Sequence, residues 1–125
     1  MNVVLLGGYI KMIDPLTEAS NGSIYTRGII SVENRTNQGL YEAHIPFVIF
    51  GERARDFANT VNIGSKVVFQ GKWNHSVTQN NRGEWIPKDN LLVNETLVLE
   101  RSDGSLNSVG TVFDMEDDPK DPDLL

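Results

Sequence analysis

Apolar and polar residues alternate along five stretches of the chain, and this period of two predicts five half-buried β-strands. The stretches cover residues 3–12, 23–33, 41–50, 66–78 and 91–99. Turn-forming sequences separate them, including Asp14-Pro15 after the first strand and Asn80 to Gly83 between the last two. The Gly7-Gly8 pair inside the first strand predicts a bulge or a sharp bend of the kind that small barrels need.

One segment between the third and fourth strands follows a helical period instead. Ala54, Phe57, Ala58 and Val61 are spaced as i, i+3, i+4 and i+7, which predicts a short amphipathic helix over Glu52 to Val61. Three strands, a helix and a two-stranded hairpin make up the order of the OB fold, a five-stranded Greek-key barrel that often binds oligonucleotides. We therefore expect an all-β chain with one such barrel.

The alternation also separates core candidates from outer ones. In the fourth strand Val67, Phe69, Gly71, Trp73 and Val77 share one face, so we expect Trp73 to be buried beside Phe69. Aromatic and polar residues of the opposite parity are expected on the outer surface: Tyr9, Tyr25, Arg27, His44, Phe50, Lys72 and Asn74.

Most of the net charge of −6 lies at one end of the chain. Residues 113–125 contain six acidic residues and one lysine, a local charge of −5, so residues 1–112 are almost neutral at −1. So acidic a segment, with two prolines, buries too little apolar surface to fold alone. We predict a domain over residues 1–101, a short linker over residues 102–112 and a disordered acidic tail over residues 113–125.

The available side-chain chemistry favours a binding protein over an enzyme. There is no cysteine, which excludes a disulfide framework and thiolate metal sites. The histidines His44 and His75 are expected to face opposite ways on different strands, and no Gly-Lys-Ser/Thr loop is present to hold phosphates. We expect no catalytic residue, metal or cofactor. Without a spanning apolar run or a signal sequence, we expect a soluble, cytoplasmic protein.

Four stretches resemble, in order, the bacterial and phage single-stranded DNA-binding proteins. Asn2 to Gly8 followed by Asp14-Pro15 resembles the family's first strand, and Phe47 to Gly51 followed by Phe57-Ala58 resembles its third strand and helix. The family's fourth and last strands are resembled by two further stretches, Ile63 to Gly71 and Leu91 to Glu100. The resemblance covers roughly residues 2 to 101 together with the acidic tail.

This resemblance implies sequence-tolerant binding of single-stranded DNA by a homotetramer that acts in DNA replication, recombination and repair. Bases would stack on aromatic side chains and phosphates would meet lysine and arginine, which needs no sequence readout because every base has a π-face. Phe50 lies where the family has a stacking aromatic, and His44 lies where many relatives have tryptophan. Near Arg35 and at Thr78 other relatives have further aromatics, so this chain offers fewer stacking residues.

The candidate DNA-binding set joins these positions to the outward-facing residues and to the predicted hairpin. Its members are Tyr9, Tyr25, Arg27, Arg35, His44, Phe50, Lys72, Asn74, Arg82, Trp85 and Lys88. Phe50 either stacks on bases or packs the barrel edge against the helix. Trp85 lies beside Arg82 and Lys88 on the hairpin, and it either stacks on bases or packs at a subunit interface.

Protein partners are expected at two places. Val3, Leu5 and Val68 are apolar on outward faces, which favours a homo-oligomer. In the family, an acidic tail with an apolar tip docks on replication, recombination or repair proteins. The corresponding candidates here are Asp117, Asp118, Asp121, Asp123, Leu124 and Leu125. The alternative function is an OB-fold adaptor in a replication or recombination complex, without strong DNA binding of its own. The short loops favour a phage-encoded member of the family.

Overall fold

The computed structural model describes residues 1–101, so the predicted linker and the tail candidates Asp117 to Leu125 lie outside the described residues. The elements are β1 (Val4–Ile13), β2 (Thr17–Glu18), β3 (Ile24–Thr36), β4 (Gly39–Phe50), α1 (Glu52–Thr60), β5 (Lys66–Gln79) and β6 (Trp85–Glu100). They include the five predicted strands and the predicted helix. The short β2, which pairs with the start of β3, was not predicted. With β2 counted, the helix that follows the third predicted strand lies between β4 and β5.

The five long strands close into a barrel. β1 pairs antiparallel with β3 and β5, β3 pairs antiparallel with β4, and β5 pairs antiparallel with β6. A short parallel seam joins β4 to β6, with Phe47 opposite Leu91 and Val48 opposite Leu92. Counted without β2, this is the strand order of an OB barrel, and the short seam gives it the partly open character of that fold. The predicted fold class is confirmed.

The core fills the barrel with the inward half of each alternating strand. Ile10, Phe47, Phe69 and Leu91 are at most 1% exposed. Phe57 of α1 packs onto them, with its ring centroid 5.6 Å from that of Phe47 and 5.9 Å from that of Phe69. Burying each such side chain stabilises the fold by about 1.5–3 kcal/mol relative to leaving it in water. The rigid barrel that results fixes which side chains its outer surface presents.

The bulge in β1 lies between Ile10 and Met12, and the prediction that placed it at Gly7-Gly8 is wrong. The register shift changes the parity of the following residues, so Met12 is 42% exposed although the alternation placed it with Ile10. Gly8 serves close packing instead. A Cβ atom at this position would lie 2.1 Å from the carbonyl oxygen of Ser31, which only glycine avoids.

Strands β5 and β6 continue past the barrel as a two-stranded arm, here defined as residues 73–91. The pairing of β5 with β1 ends where Val4 meets Gly71, and β6 meets β4 only at Leu91 and Leu92. The expected burial of Trp73 and Val77 is therefore wrong, since they are 37% and 49% exposed. Both lie on the same face as the core residues, but beyond the barrel residues 1–101 cover that face only in part.

Candidate nucleic-acid interface

Two aromatic rings lie side by side on the outer surface, where β3 begins and β4 ends. Tyr25 and Phe50 are directly opposite in the antiparallel register, so their side chains share a face. Their ring centroids are 5.9 Å apart at an interplanar angle of 46°. Phe50 is 54% exposed. The accessible face of an aromatic ring such as that of Phe50 is apolar, and nucleic-acid bases can stack on it.

Two candidate cations lie in the cross-strand row next to these rings. The row runs through Arg27 on β3, Val48 on β4, Leu92 on β6 and Lys72 on β5. The guanidinium carbon of Arg27 lies 5.8 Å from the centroid of the Tyr25 ring, and Arg27 Nη2 lies 3.6 Å from Asp14 Oδ2. Three strand spacings separate the two cations, about 14 Å along the sheet. Arg27 and Lys72 therefore flank a largely apolar strip.

A second row crosses β1, β3 and β4 through Tyr9, Ser31 and His44. His44 Nε2 lies 3.3 Å from Glu42 Oε2, and Lys11 Nζ lies 4.0 Å from the same oxygen. The hydrogen bond with His44 is the main cause that lowers the pKa of Glu42, followed by one from Ser31 and the charge of Lys11. Glu42 is thus held as a carboxylate that contacts both Lys11 and His44.

A cation also lies near the ring of Tyr9. The ammonium nitrogen of Lys66 lies 5.8 Å from the centroid of the Tyr9 ring, and the two residues are opposite each other on β5 and β1. Tyr9 is 49% exposed. This end of the surface therefore also combines an aromatic ring with a positive charge.

The outer surface continues onto one face of the arm. Asn74 is opposite Asn90 and Ser76 is opposite Lys88, and these residues share the parity of Lys72. Asn74 Nδ2 donates a hydrogen bond to Asn90 Oδ1 at 3.1 Å, and the Ser76 hydroxyl donates to the Lys88 carbonyl at 2.9 Å. The candidates Lys72, Asn74 and Lys88 are therefore brought together on this face.

Three candidates lie away from this surface or at its edge. Arg35 is near the far end of the β3–β4 hairpin, opposite Leu40, and Arg82 lies in the turn at the tip of the arm. Trp85 is 69% exposed and pairs with Gln79, which puts it on the face of the arm opposite to that of Lys88. The binding roles of Arg35, Arg82 and Trp85 stay predictions.

Sequence reasoning missed Asn90 and the roles of Asp14 and Glu42. Asn90 was left outside the last strand, although the turn at Asn80 to Gly83 fixes a hairpin register that puts it opposite Asn74. Asp14 was assigned only to a turn. Its contact with Arg27 depends on the pairing of β1 with β3, which no local pattern encodes.

Within residues 1–101, the side chains form no group of three His, Asp or Glu residues that could hold a metal ion. His44 and His75 lie on different strands, and each contacts one carboxylate, of Glu42 and Asp89 respectively. In the same part of the chain no helix has the length and apolar character needed to cross a membrane.

Comparisons with known proteins agree with this fold. No family model matches the sequence, and no curated protein matches it. Among solved structures, the chain is similar to the SSB of Plasmodium falciparum in its complex with single-stranded DNA. The TM-score is 0.70 at 12% identity, and the match covers 80% of this chain and 96% of that chain. At this identity the likeness shows a shared fold, in agreement with the resemblance that the sequence indicated.

Proposed function

We propose that this chain binds single-stranded DNA, with little sequence preference, on the outer surface of its OB barrel. The observation that carries the proposal is the Tyr25–Phe50 pair on the outer surface, with Phe50 exposed and with Arg27 and Lys72 in the adjacent row. Stacking on such rings contributes about 1–3 kcal/mol per base whatever the base, while cations neutralise the phosphates. The fold shared with a protein solved in complex with single-stranded DNA supports the same ligand class.

Single strands suit this surface better than duplex DNA does. The rings of Tyr25 and Phe50 need the faces of unstacked bases, and a duplex presents only base edges in its grooves. Duplex binding also relies on many phosphate contacts. Residues 1–112 have a net charge of −1, so they carry no excess of basic residues with which to make many such contacts. A few cations around a stacking surface therefore favour flexible single strands.

The wider role that we propose is protection of single-stranded DNA during replication, recombination and repair, by a homotetramer. Self-association is supported by β1, where Val3 and Leu5 are 56% and 65% exposed. Among residues 1–101, this strand pairs between Val4 and Gly8 with β5 alone, which leaves its other edge available to a second chain.

We also propose that the acidic residues 113–125 recruit partner proteins, on the strength of their composition. Carboxylates would meet basic residues of a partner while Leu124 and Leu125 fill an apolar pocket. Deleting these residues should leave DNA binding equal or tighter at low salt and should abolish the capture of partner proteins from a host extract. Loss of DNA binding in a folded deletion variant would contradict this role.

Fluorescence anisotropy of a labelled oligo-dT, titrated with the full chain, tests the proposed function. A saturable rise with a defined number of nucleotides per protein supports binding to single-stranded DNA. An unchanged anisotropy up to high micromolar protein would reject it and would favour the adaptor function.

A further inference from the structure

On the barrel part of the surface, Arg27, Lys11 and His44 already have carboxylate partners, and Lys66 lies over the ring of Tyr9. Arg27 lies 3.6 Å from Asp14, and Lys11 and His44 share the carboxylate of Glu42 at 4.0 and 3.3 Å. A phosphate that approaches one of these groups must share it with the resident carboxylate. Because each such pair is close to neutral, it attracts phosphate less than a free cation does.

The arm differs in this respect from the barrel surface around Arg27 and Lys11. We define the polar face as Asn74, Ser76, Lys88 and Asn90 of the arm together with the pair Lys72 and Leu92 at its base, all of one parity in the β5–β6 register. This face contains no carboxylate, because the acidic Asp89 lies on the other side with His75. Within residues 1–101, neither Lys72 nor Lys88 forms an ion pair with a carboxylate.

The polar face also offers neutral hydrogen-bond donors between its two lysines. Asn90 accepts a hydrogen bond from Asn74 through Oδ1, which leaves the amide nitrogen of Asn90 free to donate to a phosphate oxygen. Lys88 lies four residues along the strand from Leu92, the partner of Lys72, or about 13 Å. The two lysines and the asparagine between them thus form a strip that follows the arm.

We propose that the polar face of the arm is the phosphate-binding part of the site, while the barrel surface around Phe50 supplies stacking. This inference rests on the proposed binding of single-stranded DNA. Its physical basis is that log K falls with log salt in proportion to the phosphates neutralised, with a slope of about 0.7 per contact for single strands. Lys72 and Lys88 can neutralise a phosphate without losing an existing ion pair. Arg27 must give up part of its contact with Asp14 to do so.

The strip is continuous with the stacking surface. Leu92 pairs with Val48, so Lys72 lies in the same cross-strand row as Arg27, next to the Tyr25–Phe50 pair. A strand that stacks on Phe50 can therefore run over this row and onto the arm. On this path it passes along the face opposite to Trp85.

The test compares the salt dependence of oligo-dT binding among charge variants of the full chain, measured by anisotropy. The double variant Lys72→Gln/Lys88→Gln is expected to lower the slope of log K against log salt by about 1.4, two contacts of about 0.7 each. The variant Arg27→Gln removes a cation that is shared with Asp14, and it is expected to lower the slope by clearly less than about 0.7.

A matched charge control uses two cations away from the polar face. The variant Arg55→Gln/Arg101→Gln, with Arg55 on α1 and Arg101 beyond the end of β6, changes the net charge as much as Lys72→Gln/Lys88→Gln does, and it should leave the slope unchanged. Circular dichroism verifies the fold of each variant. If Lys72→Gln/Lys88→Gln kept the wild-type slope, or if the control lost as much, the arm would not be the phosphate site, although DNA binding itself would stand. Absence of binding by the wild type would reject both proposals.

Discussion

Replacing Phe50 with alanine removes the more exposed ring of the Tyr25–Phe50 pair. Stacking of one base on an aromatic side chain contributes about 1–3 kcal/mol, measured by alanine substitution. Since about 1.4 kcal/mol changes affinity tenfold, we expect a dissociation constant for oligo-dT roughly 5- to 150-fold higher in Phe50→Ala.

The same substitution should have little effect on stability. Phe50 is 54% exposed, and its principal aromatic contact is Tyr25, a pair of the kind that contributes about 0.5–1.5 kcal/mol. A fully buried phenylalanine would cost about 3–5 kcal/mol on replacement by alanine. We therefore expect the free energy of unfolding, measured with urea, to fall by clearly less than that.

Tyr41→Ala provides the matched control for this prediction. Tyr41 lies on the same strand, is also 54% exposed, and has the opposite parity, so it faces away from the stacking surface. Anisotropy titrations with labelled oligo-dT at one salt concentration should show weaker binding for Phe50→Ala alone. Wild-type affinity in a folded Phe50→Ala variant, or an equal loss in Tyr41→Ala, would refute the stacking role.

Three other features give predictions. Gly8→Ala should lower the free energy of unfolding by about 3 kcal/mol or more through overpacking, whereas Gly7→Ala, whose Cβ would have only ordinary contacts, should stay near wild type in urea unfolding. The lowered pKa of Glu42 stabilises the fold above the ordinary value of 4.5, so a deficit of Glu42→Gln in thermal unfolding at about pH 7 should shrink as the pH falls below 4.5. Leu5→Glu should reduce the sedimentation coefficient at micromolar concentration, and a monomeric wild type would contradict the proposed oligomer.

Local patterns determined the strands, the helix and the facing of most side chains. Tyr25, Arg27 and Phe50 were assigned to the outer surface by the period of two alone, and the structure places them there. The exposure of Trp73 could not be predicted from the alternation. Its parity was assigned correctly, but its burial depends on whether the barrel still surrounds β5 at that point, and the length of the arm follows from pairing with β1 and β4.

The charge balance of the site could not be predicted from the sequence. The sequence presents Arg27 as an outward-facing cation. The pairing of β1 with β3 brings the carboxylate of Asp14 to 3.6 Å from its guanidinium group. Glu42 and His44 share a strand at a spacing of two, so their contact had a local signal, but Lys11 reaches Glu42 from another strand. Contacts between distant strands depend on the pairing register, because a slip of one residue would move every side chain of a strand to the opposite face of the sheet.

The location of the site is tested most directly by amide NMR of the full chain during titration with oligo-dT. Shift changes should concentrate at Tyr25, Arg27 and Phe50 and extend along the polar face through Lys72 and Asn90. The amides of α1 from Phe57 onward, where the helix packs on the core, should change little. Changes confined to α1, or the absence of any saturable change at millimolar oligonucleotide, would contradict binding of single-stranded DNA on the outer surface of the barrel.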